Sequence, residues 1–327
     1  MPRSHLSPAA WADVFQGQEI VGVAIRNRHT LQTLSRHAMP QDQASRLLDG
    51  QIPTRVATIF LNDSSDENVG FRDLSGMTHP RLGVSRASFH DGVLVASMDR
   101  DGDVYPVGGG FDGPFEKIHP GGWPGVQRLR CIGDQTFAVT LARGLYQRVT
   151  VGQWERLPGI PVSRREEELQ AAGFRDLDGF SAAEMYAVGG HGDVWRLHAG
   201  EWRQMAFPTR DALATVTCGG DGNVYITGEG GSLWVGERGT WRRLHQGDSG
   251  VLWNETRWFN GQLWLASDDR LRVWDGSRLL APEHAGIPIL ASGHLDAHDG
   301  LLAVADLWTV STFDGHSWRQ VVTPFKD

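Results

Sequence analysis

With 327 residues, 21% of them charged, and a formal net charge of −8, the chain can bury a large core, but it has no basic block of the kind that tracks a phosphate backbone. Direct nucleic-acid binding is therefore not expected. No run approaches the roughly 18 apolar residues of a membrane helix, and the first residues show no secretory h-region, so a cytoplasmic, membrane-free protein is the expectation. Two cysteines, Cys131 and Cys218, are too few for a secreted disulfide framework and are read as reduced and buried.

In chain order, the N-terminal segment offers four strand candidates: Glu19 to Ile25, Thr30 to Ser35, Arg55 to Leu61 and Asn68 to Leu74. A short helix, Gln41 to Leu48, is predicted between the second and third, and the whole forms an irregular unit over about residues 16–75. Clear repetition begins near residue 84 and runs to 322. One unit centres on Val93-Leu-Val-Ala and the next on Thr136-Phe-Ala-Val. Tyr186 and Tyr225 then lie 39 residues apart (225 − 186), as do Tyr225 and Trp264 (264 − 225). A period near 40 built from short apolar runs between Gly, Asp and Asn turns is the pattern of four-stranded propeller blades. The unit around Tyr186 predicts strands Phe174 to Phe180, Glu184 to Gly189, Asp193 to His198 and Glu201 to Ala206. Its last strand carries a recurring phrase, Gln153-Trp-Glu-Arg, Glu201-Trp-Arg-Gln, Thr240-Trp-Arg-Arg and Ser317-Trp-Arg-Gln, whose Trp is expected to pack between blades while its polar flanks face water. Six such units and the N-terminal one give an all-β, single-domain propeller over residues 1–327, with seven blades and with six or eight left open.

The phrases Met185-Tyr-Ala-Val-Gly-Gly-His-Gly-Asp-Val-Trp and Phe313-Asp-Gly-His-Ser-Trp-Arg resemble the bacterial β-propeller repeats of the broad YVTN, BNR and Ycf48-like group. That resemblance implies a fold superfamily without a common activity. The sialidase Asp-box is broken here, because Asp314 and Gly315 are adjacent.

Strands that alternate in direction put each hairpin between second and third strands on the same face as the connections between blades. That face is expected to present Asp99, Asp101, Asp103, His191, Asp193, Glu229, Asp268 and Asp269, joined by Trp123 and by the insertion carrying Arg164, Arg165, Glu166 and Glu167. Ser163-Arg-Arg-Glu166 is a capping-box pattern that opens a predicted helix through Ala172. First strands line the channel with Arg130, Asp176, Glu255, Arg257 and His294, read as a hydrated ion-pair network or as acid and base groups. Asp99-Arg-Asp-Gly-Asp103 and His294-Leu-Asp-Ala-His298 have cation-like spacings. The first lacks the EF-hand order and the second sits on a strand, so no metal or cofactor is assigned. The expectation is a monomeric, non-enzymatic binding protein, of the bacterial immunity or antitoxin type, whose acidic loop face captures a basic protein partner. The alternative is a lyase or hydrolase with its site in the channel mouth.

Overall fold

Short apolar runs of period two, cut every few residues by Gly, Asp and Asn turns, can only bury themselves by stacking as small sheets, and among its described residues the computed structural model contains seven four-stranded ones. It describes residues 5–63, 67–99, 101–108, 115–122, 125–162, 173–237, 239–247 and 250–325. Each blade is a four-stranded antiparallel meander. Blade 1 comprises Gln18–Asn27, Thr30–His37, Thr54–Phe60 and Val69–Leu74. Blade 2 comprises Arg81–Ala87, His90–Ala96, Asp103–Val107 and Glu116–Lys117, and blade 3 comprises Val126–Ile132, Gln135–Thr140, Leu145–Thr150 and Gln153–Arg156. Blade 4 runs through Phe174–Ser181, Glu184–Gly189, Asp193–His198 and Glu201–Met205, nearly strand for strand as its repeat predicts. Blade 5 follows with Leu213–Cys218, Val224–Gly228, Leu233–Glu237 and Thr240–His245. Blade 6 has Glu255–Phe259, Gln262–Ala266, Leu271–Trp274 and Leu279–Leu280. Blade 7 has His294–His298, Leu301–Ala305, Val310–Phe313 and Trp318–Val322.

The core is divided into seven apolar clusters, one at each blade interface. Second strands supply most of it, because they are flanked on both edges and covered on both faces. Val93, Leu94, Val95 and Ala96 are fully buried, and Leu302 to Ala305 nearly so. Trp154, Trp202, Trp241 and Trp318, the signature residues of the outer strands, pack half-buried against these clusters. Their polar flanks point outward, which accounts for the repeated Trp-Arg phrase.

The ring closes without exchanging a strand between its ends. A helix not anticipated from the sequence, Pro8–Phe15, wedges Val14 and Phe15 into the cluster where blade 7 meets blade 1. Ser7 caps it, accepting from the Ala10 N–H, and Pro8 opens its first turn. A backbone bond from Ile20 N–H to the Leu307 carbonyl (2.9 Å), and one from the Arg319 guanidinium to the Leu61 carbonyl (2.9 Å), complete the seam.

Two sequence expectations need correction. The helix expected over Gln41 to Leu48 stops at Ala44, because the Gln51 side chain takes the Leu48 N–H (2.8 Å) and winds the chain into the tighter turn Asp49–Gln51. Cys131 and Cys218 are free thiols but only half-buried. The helix expected over Ser163 to Ala172 lies outside the described residues. Ahead of it, Ile160 turns back into the cluster between blades 3 and 4.

Candidate functional site

Each first strand lies at the inner edge of its blade, so alternate side chains meet around the axis. Asp176 of blade 4, with no exposed surface, takes Arg130 through two bonds, at 3.0 and 2.8 Å, with Arg128 at 3.5 Å. Glu255 of blade 6 joins Arg128 (2.9 Å), Arg257 (2.8 Å) and His294 Nδ1 (3.7 Å). Arg257 continues to Asp296 of blade 7 at 3.0 Å, and Asp296 accepts the Ile25 N–H of blade 1 at 2.8 Å. On the other side Asp176 accepts the Val216 N–H and Asp178 the Cys218 N–H of blade 5. Arg86 of blade 2 donates to the Ile25 carbonyl (2.7 Å). The channel waist is thus a ring of four guanidinium groups and four carboxylates whose bonds reach all seven blades.

Burial alone would raise the carboxyls of Asp176 and Glu255. Their neighbouring arginines, Arg130 and Arg128 for the first and Arg128 and Arg257 for the second, outweigh it and hold both below the usual carboxylate range. Asp178 lies just outside this balance, and burial pushes its carboxyl up despite Arg130. Burial likewise raises the thiol of Cys218, so that sulfur is a poor thiolate at neutral pH.

The waist separates two cavities. Below it, a space of about 200 Å³ touches Cys131, Asp178, Cys218 and Trp258. Above it, the mouth encloses about 660 Å³ and reaches Glu229, Asp268 and the connection Gly250 to Asn254. Arg128 and Glu255 line both. The mouth therefore opens on the face expected from strand alternation, where second-to-third-strand hairpins and inter-blade connections gather.

Around that face the sequence-derived residues occupy different blades and have different fates. Glu229 and Asp268 are exposed at the mouth, and Asp268 accepts from Asn254 (2.5 Å). Asp269 is exposed, and Arg270 and Ser267 hold its carboxyl down to about 2. On blade 2, Asp99 accepts the backbone N–H groups of Asp101 and Asp103, and Lys117 bridges Asp101 with Asp103 nearby at 3.6 Å. Asp101 also takes the Gly121 N–H (2.6 Å). These carboxylates tie the hairpin together. Asp193 departs from the expectation of a displayed residue. It is buried, clamped by Arg143 at 2.6 and 3.0 Å, and accepts Trp195 and Gln204, because a hairpin side chain that finds a neighbouring blade's arginine folds inward. His191 is exposed and its ring meets the Arg210 carbonyl (2.9 Å). Trp123, Arg164, Arg165, Glu166 and Glu167 lie outside the described residues.

The same face exposes apolar groups that the sequence reading passed over: Leu48, Leu252, Leu290, Leu307 and Trp308. Leu290 follows a small hairpin, Glu283–His284 with Ile287–Pro288, inserted between blades 6 and 7. Asp296 and Arg81 were also missed. Asp296 stands two residues after His294, so period two already pointed it inward, whereas Arg81 precedes the repeat's clear beginning. Among the described residues no group of three or more metal-ligating side chains is assembled, and no helix is long and apolar enough to cross a membrane.

These features define a seven-bladed β-propeller with an ion-sealed waist and one open loop face. The fold is similar to that of the WD40 β-propeller domain of Doa1, with a TM-score of 0.60 and 12% identity over 89% of this chain and 90% of that one. It is equally similar to Ycf48 bound to D1 peptide, with a TM-score of 0.59 and 12% identity over 89% of each chain. In sequence, the chain is 29% identical over 203 residues to the immune protein Tsi7 of Pseudomonas aeruginosa, a match covering 62% of this chain and 65% of the relative's length. No protein-family model matches.

Proposed function

We propose that this chain is a bacterial immunity-type protein that neutralises a toxin by binding it on the loop face. The observation that carries this reading is the similarity to an immune protein over 203 residues, a span far longer than one blade. The propeller supports it physically: rigid sheets hold variable loops around one face, with exposed Leu252, Leu290 and Trp308 as apolar anchors beside the carboxylates Glu229, Asp268 and Asp269. On this reading the partner is basic at the surface it presents, because complementary charge speeds association and rejects wrong partners. The protein acts in the cytoplasm as a monomer without catalysis.

The enzyme alternative has one observation in its favour, the meeting of His294 and Glu255 at the mouth, with Arg257 behind Glu255. Against it, Glu255 is held ionised by Arg128 and Arg257, so it has no proton to give and little basicity. The test is co-expression with whichever product of its flanking genes arrests growth when expressed alone. Restored growth and a salt-sensitive complex are expected. Restored growth without a complex would turn the account toward the enzyme, and no protection would remove the immunity reading.

A further inference from the structure

Among the described residues, two arginines in the channel mouth bond no carboxylate. Arg81, at the start of blade 2, reaches only the Pro80 carbonyl at 3.5 Å and the Met98 sulfur at 4.0 Å. Arg175, at the start of blade 4, is exposed and donates to the amide oxygen of Gln127 at 2.8 Å. Neither forms an ion pair among the described residues, whereas Arg128 on the blade between them is committed to Asp176 and Glu255. All three line the same 660 Å³ space. Burial first, and then the positive charges of Arg128 and Arg175, lower the proton affinity of Arg81, against the weaker pull of Glu255 and Asp49, neither of which bonds it.

The carboxylates on that wall do not cancel this charge. Glu255 is saturated by Arg128 and Arg257, and Glu229 and Asp268 stand across the opening on blades 5 and 6, the latter bonded to Asn254. The mouth is thus positive along blades 2 to 4, negative along blades 5 and 6, and apolar at Val251 and Leu252. A half-buried guanidinium without an anion is an unfilled demand, and its planar fork matches a carboxylate bidentately. Val251 and Leu252 offer an apolar surface that inorganic phosphate cannot use, whereas an organic carboxylate carries a stem that can.

We infer that the channel mouth is a carboxylate-binding site, in which Arg81 and Arg175 grip the anion and its apolar stem lies against Val251 and Leu252. The volume suits a small organic acid or one acidic side chain entering on a protein segment. This site stands independently of the immunity-type reading. Loss of toxin protection with carboxylate binding intact would overturn that reading alone.

Calorimetric titration of the full chain at low salt decides the matter, using succinate, a terminally blocked Leu-Glu-Leu peptide and inorganic phosphate as probes. Saturable binding of succinate or of the peptide is expected, weakened about tenfold or more by Arg81→Met and by Arg175→Gln. Succinate binding alone assigns a free organic acid, and peptide binding alone assigns a protein segment. No saturable binding of either, tighter binding of phosphate, or binding indifferent to Arg175→Gln would overturn the proposal. Arg175 is exposed, so its variant remains informative even if Arg81→Met fails to fold.

Discussion

Replacing Arg148 with Met tests whether the buried charges of this propeller are parts of its frame. Arg148 and Glu116 have no exposed side-chain surface, and the guanidinium gives Glu116 two bonds, at 2.9 and 2.5 Å, while also reaching Ser85 Oγ (3.3 Å) and His90 Nδ1 (3.1 Å). Glu116 belongs to the two-residue outer strand of blade 2 and Arg148 to blade 3, so the pair secures a strand too short to hold itself by ladder bonds. Without Arg148, Glu116 keeps the Trp154 indole N–H (2.9 Å) but no counter-charge. Breaking a buried pair from one side costs about 3–5 kcal/mol, a large part of the ~5–15 kcal/mol that holds a typical domain folded. The double variant Arg148→Met with Glu116→Leu removes both charges together and should recover most of that loss, since paired apolar replacement is often neutral. Urea unfolding followed by Trp fluorescence at neutral pH measures the wild type, Arg148→Met, Glu116→Leu and the double variant. A single-variant cost under about 1 kcal/mol, or a double variant as unstable as the sum of the two singles, would refute the reasoning.

Other outcomes follow from the same structure. Burial, with Arg148 beside it, holds His90 down from 6.5 to about 4, so the unfolded chain binds the extra proton between those values. Stability should therefore be full above about pH 6.5 and fall by ~1.4 kcal/mol per unit as pH drops toward 4, about 3 kcal/mol in all, and His90→Gln should flatten that slope in pH-dependent unfolding. The depressed carboxyls of Asp176 and Glu255 add stability that is complete above their ordinary range and is lost as pH falls below about 4, visible as a steeper acid transition in the wild type than in Glu255→Gln. Phe15→Ala should cost about 3–5 kcal/mol, and hydrogen exchange should show blades 1 and 7 opening first.

The blades were legible because each repeats its own turn chemistry and apolar period. Trp202 and Trp241 announce their outer strands wherever they occur, and the unit around Tyr186 folds almost as its letters predict. The closure was harder to read, since Pro8–Phe15 belongs to no repeat. Its signal was present nonetheless in Ser7-Pro8, a cap followed by a first-turn proline, with Trp11, Val14 and Phe15 on one side. Period two identified the channel-facing residues, but pairing them needs the stagger of blades far apart in sequence. Arg128 meets Glu255 across 127 positions, a match that no local pattern encodes. The loop face shows the same limit. The topology placed both Asp193 and Asp268 on hairpins, yet one turns inward to Arg143 and the other stays at the mouth, because burial there depends on what the adjacent blade offers.

The central claim, that the loop face binds and neutralises a toxin, is tested most directly by calorimetric titration of this protein with whichever product of its flanking genes arrests growth when expressed alone. The titration is repeated with Leu290→Glu and with Asp268→Lys combined with Asp269→Lys. The account predicts a tight one-to-one complex that weakens with salt and is lost or weakened at least tenfold by each loop-face change, with folding intact. No complex, or one indifferent to both changes, would contradict it.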